Sequence, residues 1–226
     1  MIQNQKQTAI LLFAYSSEKE ANRKVFDKSE QLFEQLNQKT LVKAQKTGIH
    51  VFVITEKEQI GVTFGERFAN AIQEAFNKGY SQVITIGNDS PNLKTHHLLK
   101  TLDYLQKGNA VLGPSFDGGT YLIALKKEHF SKEVFKSITW NTCKVFSELK
   151  KHLTQQNINV EQLGYLADID SKEDLLFFIN QFSKSFSLLK RFLISRRIKV
   201  YSYYKSFYTS KNYSYNNYNK GSPYAL

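Results

Sequence analysis

A chain of 226 residues is long enough for one domain with a sizeable core, and its single cysteine excludes an internal disulfide framework. The formal net charge of +11 belongs to the C-terminal end: residues 184–226 hold nine Lys and Arg and no acidic residue, so the body before them is nearly neutral. That distribution argues against a nucleic-acid-binding face on the body. The apolar run at 9–15 is too short for a signal peptide, and no run reaches the roughly 18 apolar residues of a membrane span, so we expect a cytoplasmic protein.

Short apolar runs at 9–15, 50–55, 82–87, 110–114 and 121–125 have the pattern of buried strands. Helical periodicity predicts helices over 64–80, 98–106 and 145–153, with Gly79 at the C-terminal cap of the first. Strands that alternate with helices of this length predict an α/β fold, a three-layer αβα sandwich with a mainly parallel sheet. Ligands of such sheets bind outside the carboxyl ends of the strands, so the loops after Tyr15, Gly87 and Pro114 form the candidate site.

Two acidic segments follow predicted strands. Asp89 lies directly after the strand at 82–87, where a carboxylate faces the ligand crevice and suits Mg²⁺ or Mn²⁺. Asp117 precedes Gly118 and Gly119, which allow the backbone to approach a phosphate or sugar closely. The alternatives are a capped turn at Asp89 and an ordinary hairpin at Asp117-Gly118.

A third acidic segment lies near the end of the body. Asp168 and Asp170 are two residues apart, which on an extended chain directs both carboxylates to one side, and a shared cation is one reason to tolerate such a pair. Ser171 and Asp174 have the spacing of a helix-opening cap, so part of this acidity is structural.

Five segments together resemble a known family. They are FGERF (64–68), IGNDSPNL (86–93), VLGPSFDGGTYLIAL (111–125), ITWNT (138–142) and LADIDSKEDL (166–175). In this order they resemble a bacterial glycosyltransferase-like family of GT-A fold, of nucleotide-diphospho-sugar transferase type, allied to the molybdenum-cofactor and phospholactate guanylyltransferases. The resemblance implies a nucleoside-diphosphate sugar or a nucleoside triphosphate as substrate, with Mg²⁺ or Mn²⁺ as cofactor.

The resemblance also implies roles for individual residues. Asp89 would hold the metal at the diphosphate, with Asp170 and Asp168 as the second acidic position. Asp117 would shape the acceptor or sugar pocket, and as a carboxylate near the acceptor it is our candidate to orient or deprotonate the attacking hydroxyl. The residues implied in nucleotide or substrate binding are Arg23, Lys24, Gln59, Gly65, Arg67, Gly118 and Gly119.

One segment departs from the family pattern. The family follows its first strand with a loop like P-x-P-G-x-x-K-T-R-L, whereas residues 16–24 here read SSEKEANRK. The glycine and the prolines are absent, Glu18 and Glu20 add negative charge, and Arg23 and Lys24 are the available replacements for the lost cations. The segment also predicts a helix with Ser17 as N-cap.

Two functions remain open on these residues. The first is a metal-dependent transferase, with glycosyl and nucleotidyl transfer not separated and the acceptor unidentified. The alternative is a catalytically impaired family member that binds a ligand or partner.

We expect a domain over 1–183 and a basic, tyrosine-rich tail over 184–226. Residues 188–200 predict a basic amphipathic helix, followed by a disordered segment. The tail could make peripheral membrane contact, contact RNA by stacking, or remain solvated.

Overall fold

The computed structural model describes residues 6–24, 29–171 and 174. The tail, its amphipathic helix and the domain boundary at residue 183 lie outside these residues. The strands are β1 Lys6–Phe13, β2 His50–Ile54, β3 Tyr80–Ile86, β4 Ala110–Pro114, β5 Thr120–Lys126 and β6 Val160–Gln162. The helices are α1 Ser17–Arg23, α2 Ser29–Gln45, α3 Phe64–Asn77, α4 Thr95–Gln106, α5 Lys132–Ser137 and α6 Val145–Gln155, with a 3₁₀ turn at Lys127–His129.

Within the described residues the strands form one sheet in the order β2-β1-β3-β5-β4-β6. Strand β1 pairs in parallel with β2 and β3, and β4 pairs in parallel with β6. Strand β5 runs antiparallel between β3 and β4. The predicted α/β sandwich with a mostly parallel sheet is therefore confirmed, with β5 as its antiparallel member.

Strand β5 is antiparallel because a tight turn joins it to β4. In this turn the Ser115 amide donates to the Gly119 carbonyl at 2.9 Å, and the Gly118 amide donates back to Ser115 at 3.1 Å. The hairpin interpretation of Asp117-Gly118 is thus correct. It does not exclude a role in binding, because the turn lies at the same edge of the sheet as the ends of β1 and β3.

Helices cover both faces of the sheet because consecutive strand residues are apolar. On β1, Leu11 packs into one core layer, and Ile10 and Leu12 pack into the other. The first layer includes Phe68, Ile72 and Phe76 of α3, Phe135 of α5 and Leu149 of α6. The second includes Ala44 of α2 and Leu98 and Leu105 of α4. Each fully buried large side chain stabilises the fold by about 1.5–3 kcal/mol, so the two layers fix the strand ends that carry the site.

Most predicted elements agree with the structure to within a few residues. Helix α3 begins with a capping box between Thr63 and Glu66 and ends before Gly79, whose φ of +91° fits the predicted cap. The expectation for Ser17 is wrong by one residue. Ser17 is the first helical residue, and Ser16 is the N-cap whose hydroxyl accepts a hydrogen bond from the Lys19 amide at 3.3 Å. Helices α2 and α5 and strand β6 were not predicted.

A search of the described residues for a helix that is both long and apolar enough to cross a membrane finds no candidate.

Candidate functional site

A cavity of about 340 Å³ opens at the carboxyl ends of β1 and β3. This is the edge of the sheet at which the sequence predicts the site. Most of the residues singled out in the sequence line this cavity: Arg23, Lys24, Gln59, Arg67, Asp89, Gly119 and Asp170. Aromatic side chains form part of its wall: Phe13, Tyr15, Phe64, Phe68, Tyr121 and Trp140.

Asp117, Asp168 and Asp170 form a close group of carboxylates. Each of these side chains offers an oxygen within 4.8 Å of the others. Asp117 belongs to the β4–β5 turn, and the other two belong to the segment after β6. The sequence predicts that Asp89, Asp168 and Asp170 hold the metal ion. In the structure Asp117 takes the place of Asp89 in the close group, and Asp89 lies beside the group. We refer to Asp89, Asp117, Asp168 and Asp170 together as the acidic centre.

The main chain explains why these segments meet. Ile169 is fully buried, and its amide donates to the Asp89 carbonyl at 2.9 Å, which fastens the segment after β6 to the end of β3. Because side chains alternate along an extended chain, burial of Ile169 directs Asp168 and Asp170 to the opposite side. The Phe116 amide donates to the Leu166 carbonyl at 3.2 Å and joins the same segment to the β4–β5 turn.

The pKa of Asp168 is raised from 3.8 to about 8. Burial is the main cause, and the neighbouring Asp89 carboxylate adds to it. The Ser90 hydroxyl acts in the opposite direction through a short hydrogen bond that it donates to Asp168. Burial also raises the pKa of Asp170, although the Lys24 ammonium group opposes this shift. The centre therefore holds more negative charge than its environment stabilises.

Lys24, directly after α1, brings a positive charge into the acidic centre. Its Nζ lies 2.8 Å from Asp170 Oδ1, 3.1 Å from Glu20 Oε1 and 3.9 Å from Asp89 Oδ2, and it donates to the Ile169 carbonyl at 2.9 Å. The side chain is only 12% exposed. Burial lowers the pKa of Lys24, but the carboxylates of Asp89, Asp170 and Glu20 outweigh burial and raise it above its usual value.

The segment that departs from the family pattern forms α1. Glu20, on this helix, is 4% exposed and lies between Arg23 Nη1 at 3.3 Å and Lys24 Nζ at 3.1 Å. Its charge is therefore paired within the helix, whereas Glu18 is exposed to solvent. The start of α1 is fixed by Glu56, whose carboxylate accepts hydrogen bonds from the Ser16 amide at 2.8 Å and the Ser16 hydroxyl at 2.6 Å.

Arg67 organises the other side of the cavity. Its Nε donates to Gln59 Oε1 at 3.2 Å, and its Nη2 donates to the Tyr15 hydroxyl at 3.2 Å. The Arg23 guanidinium group lies 4.7 Å from the centre of the Tyr15 ring. The structure thus brings together Arg23, Gln59 and Arg67 through Tyr15. In the sequence Tyr15 is recognisable only as the end of a predicted strand.

The glycines singled out in the sequence differ in their surroundings. Gly65 packs against Trp140, since a Cβ at this position would lie 2.8 Å from Trp140 Cδ1. Gly118 has a φ of +87°, and a Cβ there would lie 2.1 Å from the Cys143 carbonyl oxygen. The Gly119 amide donates to Asp117 Oδ1 at 3.0 Å and so orients that carboxylate.

A buried amide pair supports the end of β3 and was missed in the sequence. Asn88 is 6% exposed and donates to Asn37 Oδ1 at 2.7 Å, and Asn37 donates to the Tyr15 carbonyl at 3.3 Å. This chain of hydrogen bonds joins α2 to the ends of β1 and β3. No sequence signal was available for Asn37 because α2 itself was not predicted.

Comparisons with known proteins agree with the resemblance inferred from the motifs. Residues 31–142 match a family model described as "Uncharacterized protein conserved in bacteria (DUF2064)". A proposed nucleotide-diphospho-sugar transferase of Desulfovibrio desulfuricans G20 superimposes with a TM-score of 0.70 at 26% identity, over 81% of this chain and 94% of that one. The 4-diphosphocytidyl-2C-methyl-D-erythritol synthase of Anaerococcus prevotii DSM 20548 gives a TM-score of 0.54 at 13% identity, over 80% and 100%.

A search of curated protein sequences finds no match to this chain. The fold is that of the nucleotide-diphospho-sugar transferases, and the predicted resemblance is confirmed.

Proposed function

We propose that this protein is a metal-dependent transferase that acts on a nucleotide-activated substrate, by glycosyl or by nucleotidyl transfer. The observation that carries the proposal is a cavity on the carboxyl edge of the sheet that is lined by two arginines and by Asp89 and Asp170, with Asp117 and Asp168 grouped around Asp170. The fold it shares with the Desulfovibrio protein supports the same class of activity.

The carboxylates of the acidic centre fit a divalent cation. Two oxygens bound to one cation at 2.0–2.6 Å are at most about 4–5 Å apart, and oxygens of Asp117, Asp168 and Asp170 lie within 4.8 Å of one another. Hard oxygen ligands favour Mg²⁺ or Mn²⁺. When bound, the cation would offset the charge of the diphosphate and of the leaving group.

The other cavity residues would bind and orient the substrate. Arg23 and Arg67 present guanidinium groups suited to phosphate oxygens. Tyr15 and Gln59 hold Arg67 in place through the contacts described above. Asp117 is exposed, and its carboxylate is oriented by the Gly119 amide. We infer that Asp117 accepts the proton or a hydrogen bond from the attacking hydroxyl.

A specific observation favours the alternative of a catalytically impaired binding protein. Helix α1 replaces the glycine-containing loop of the family and places a buried carboxylate, Glu20, beside both replacement cations. Arg23 and Lys24 thus already have partners, which reduces the charge they offer to phosphates. Under this alternative the cavity would bind a nucleotide without turning it over.

Thermal-shift measurements on a panel of nucleoside triphosphates and nucleoside-diphosphate sugars, each with Mn²⁺ or with EDTA, test the proposal. A ligand at one hundred times its Kd stabilises the protein by about 2.7 kcal/mol, so a specific ligand gives a clear rise in Tm. We expect a Mn²⁺-dependent rise for one base in the wild type and its loss in Asp170→Ala, because Asp170 belongs to the group of carboxylates that fits the cation. Asp103→Ala, an exposed substitution on α4, is the matched control and should retain the rise.

Product analysis on the selected nucleotide then separates the two chemistries and the alternative. Release of a nucleoside diphosphate indicates glycosyl transfer, and release of pyrophosphate from a triphosphate indicates nucleotidyl transfer. Binding without either product supports the binding-protein alternative. If no nucleotide shifts the Tm of the wild type at millimolar concentration, the proposal is wrong.

A further inference from the structure

Lys24 lies where a cation is needed between three carboxylates. Its ammonium group contacts Asp170, Glu20 and, at longer range, Asp89, and it also donates to the Ile169 carbonyl. Three carboxylates and a carbonyl around one positive centre are the donors that a hard divalent cation would take. The ammonium group of a lysine supplies the same sign of charge from within the chain.

A second cation position lies next to the first. The carboxylates of Asp117, Asp168 and Asp170 approach one another within 4.8 Å. Asp170 belongs to both positions, because its Oδ1 is 2.8 Å from the Lys24 ammonium group. An acidic centre with a shared carboxylate between two positions has the arrangement of a two-cation site.

Resting on the function proposed above, we propose that the acidic centre is a two-cation site in which the Lys24 ammonium group permanently fills one position. The other position, formed by Asp117, Asp168 and Asp170, takes one exchangeable divalent cation. Lys24 is then a positioning residue: it holds Asp89 and Asp170 in place and limits the protein to one metal ion.

The low exposure of Lys24 supports a permanent role over an exchangeable one. The side chain is 12% exposed, and its ammonium nitrogen lies 5.4 Å from the centre of the Phe33 ring. A lysine that binds the phosphates of an entering substrate would have to leave Asp170 without its ammonium partner and Glu20 with Arg23 as its remaining cation. The weaker charge compensation of the buried Glu20 and the loss of the Asp170 contact oppose that movement.

The test is to count bound Mn²⁺ in the absence of nucleotide. Wild type, Lys24→Arg and Lys24→Ala are equilibrated with Mn²⁺, and bound metal is measured by calorimetry and by elemental analysis. Electron paramagnetic resonance then distinguishes isolated from spin-coupled Mn²⁺. We expect one isolated ion per chain in the wild type and in Lys24→Arg, and two spin-coupled ions in Lys24→Ala. Lys43→Ala, which loses a lysine bonded to the Pro91 carbonyl, is the matched control and should bind one.

The outcomes separate this inference from the proposed function. If the wild type binds no Mn²⁺, the metal-dependent function fails together with the inference. If the wild type binds one ion and Lys24→Ala also binds only one, the inference alone is wrong. If Lys24→Ala does not fold, the wild type still tests the inference. Two ions bound per wild-type chain would show that Lys24 does not fill one of the two positions.

Discussion

Asp168→Asn should stabilise the metal-free protein at pH 8. The pKa of Asp168 is raised from 3.8 to about 8, and each unit of that rise costs about 1.4 kcal/mol of stability once the pH exceeds both values. The cost is about 6 kcal/mol in all and about 5 kcal/mol at pH 8, where the folded group is half ionised. The new amide has to satisfy its own NH₂ group, which takes back about 1–3 kcal/mol. The expected net gain of about 2–4 kcal/mol corresponds to about 4–16 °C in Tm for a chain of this size, measured by calorimetry in EDTA.

The dependence on pH gives this prediction its sign. Between the unfolded pKa near 4 and the folded pKa near 8, the folded protein holds a proton on Asp168 that the unfolded chain has released. The stability of the wild type therefore falls as pH rises through that window. Asp168→Asn lacks this pH dependence because an asparagine side chain does not titrate. The gain in Tm should therefore be larger at pH 8 than at pH 5, while Asp103→Asn on the surface should show no gain at either pH. A lower Tm for Asp168→Asn at pH 8, or the same difference at both pH values, would refute the reasoning.

Three further substitutions test the walls of the cavity. Gly118→Ala should lower the free energy of unfolding by about 2–4 kcal/mol in a urea titration, because the φ of Gly118 is +87° and an added Cβ would collide with the Cys143 carbonyl. A loss below about 0.5 kcal/mol would contradict this. Arg67→Ala should weaken nucleotide binding at least about tenfold by calorimetry, with little change in Tm, since a charge-assisted hydrogen bond contributes about 1.5–3 kcal/mol. An unchanged affinity would show that Arg67 does not bind the nucleotide. Asn88→Ala should cost about 1–2 kcal/mol of stability, because it leaves the Asn37 side chain without its donor; an unchanged unfolding midpoint would show that this pair does not support the strand end.

Strands β1 to β5 were predictable because each contains a short apolar run, and helices α3, α4 and α6 were predictable because their apolar residues repeat with a clear period. Helix α3, for example, buries Phe68, Ile72 and Phe76 on one side. Helix α2 was missed because polar residues interrupt its apolar positions, and part of its stability comes from tertiary packing of Leu32 and Phe33. Strand β6 has only three residues, too few for a period, and it exists because β4 pairs with it.

The carboxylates of the candidate site were predictable from the sequence, but the side chains that contact them were not. The motifs identified Asp89, Asp117, Asp168 and Asp170, and strand ends predicted that they meet. The sequence could not show that Lys24 turns into this centre, because its direction depends on where α1 ends and on the Ile169 carbonyl that receives it. The role of Tyr15 as a link between two arginines likewise arises from tertiary contacts.

The charges around the cavity lead to a last prediction, that nucleotide and metal bind cooperatively. Even with Asp168 protonated, the other three carboxylates of the acidic centre and Glu20 carry four negative charges, one more than Arg23, Lys24 and Arg67 offset. A diphosphate brings at least two further negative charges, which a divalent cation would offset. By linkage, the factor by which Mn²⁺ tightens nucleotide binding must equal the factor by which the nucleotide tightens Mn²⁺ binding, and a coupling of about 1–3 kcal/mol makes that factor about 5–150.

Calorimetric titration of each ligand, alone and with the other present, measures both factors independently. Asp117→Asn should reduce both by the same amount, because it removes a ligand from the open metal position without touching the arginines. Equal affinity for the nucleotide in EDTA and in Mn²⁺ would mean that the arginines bind the diphosphate without help from a metal ion. The acidic centre would then have a function other than binding the nucleotide.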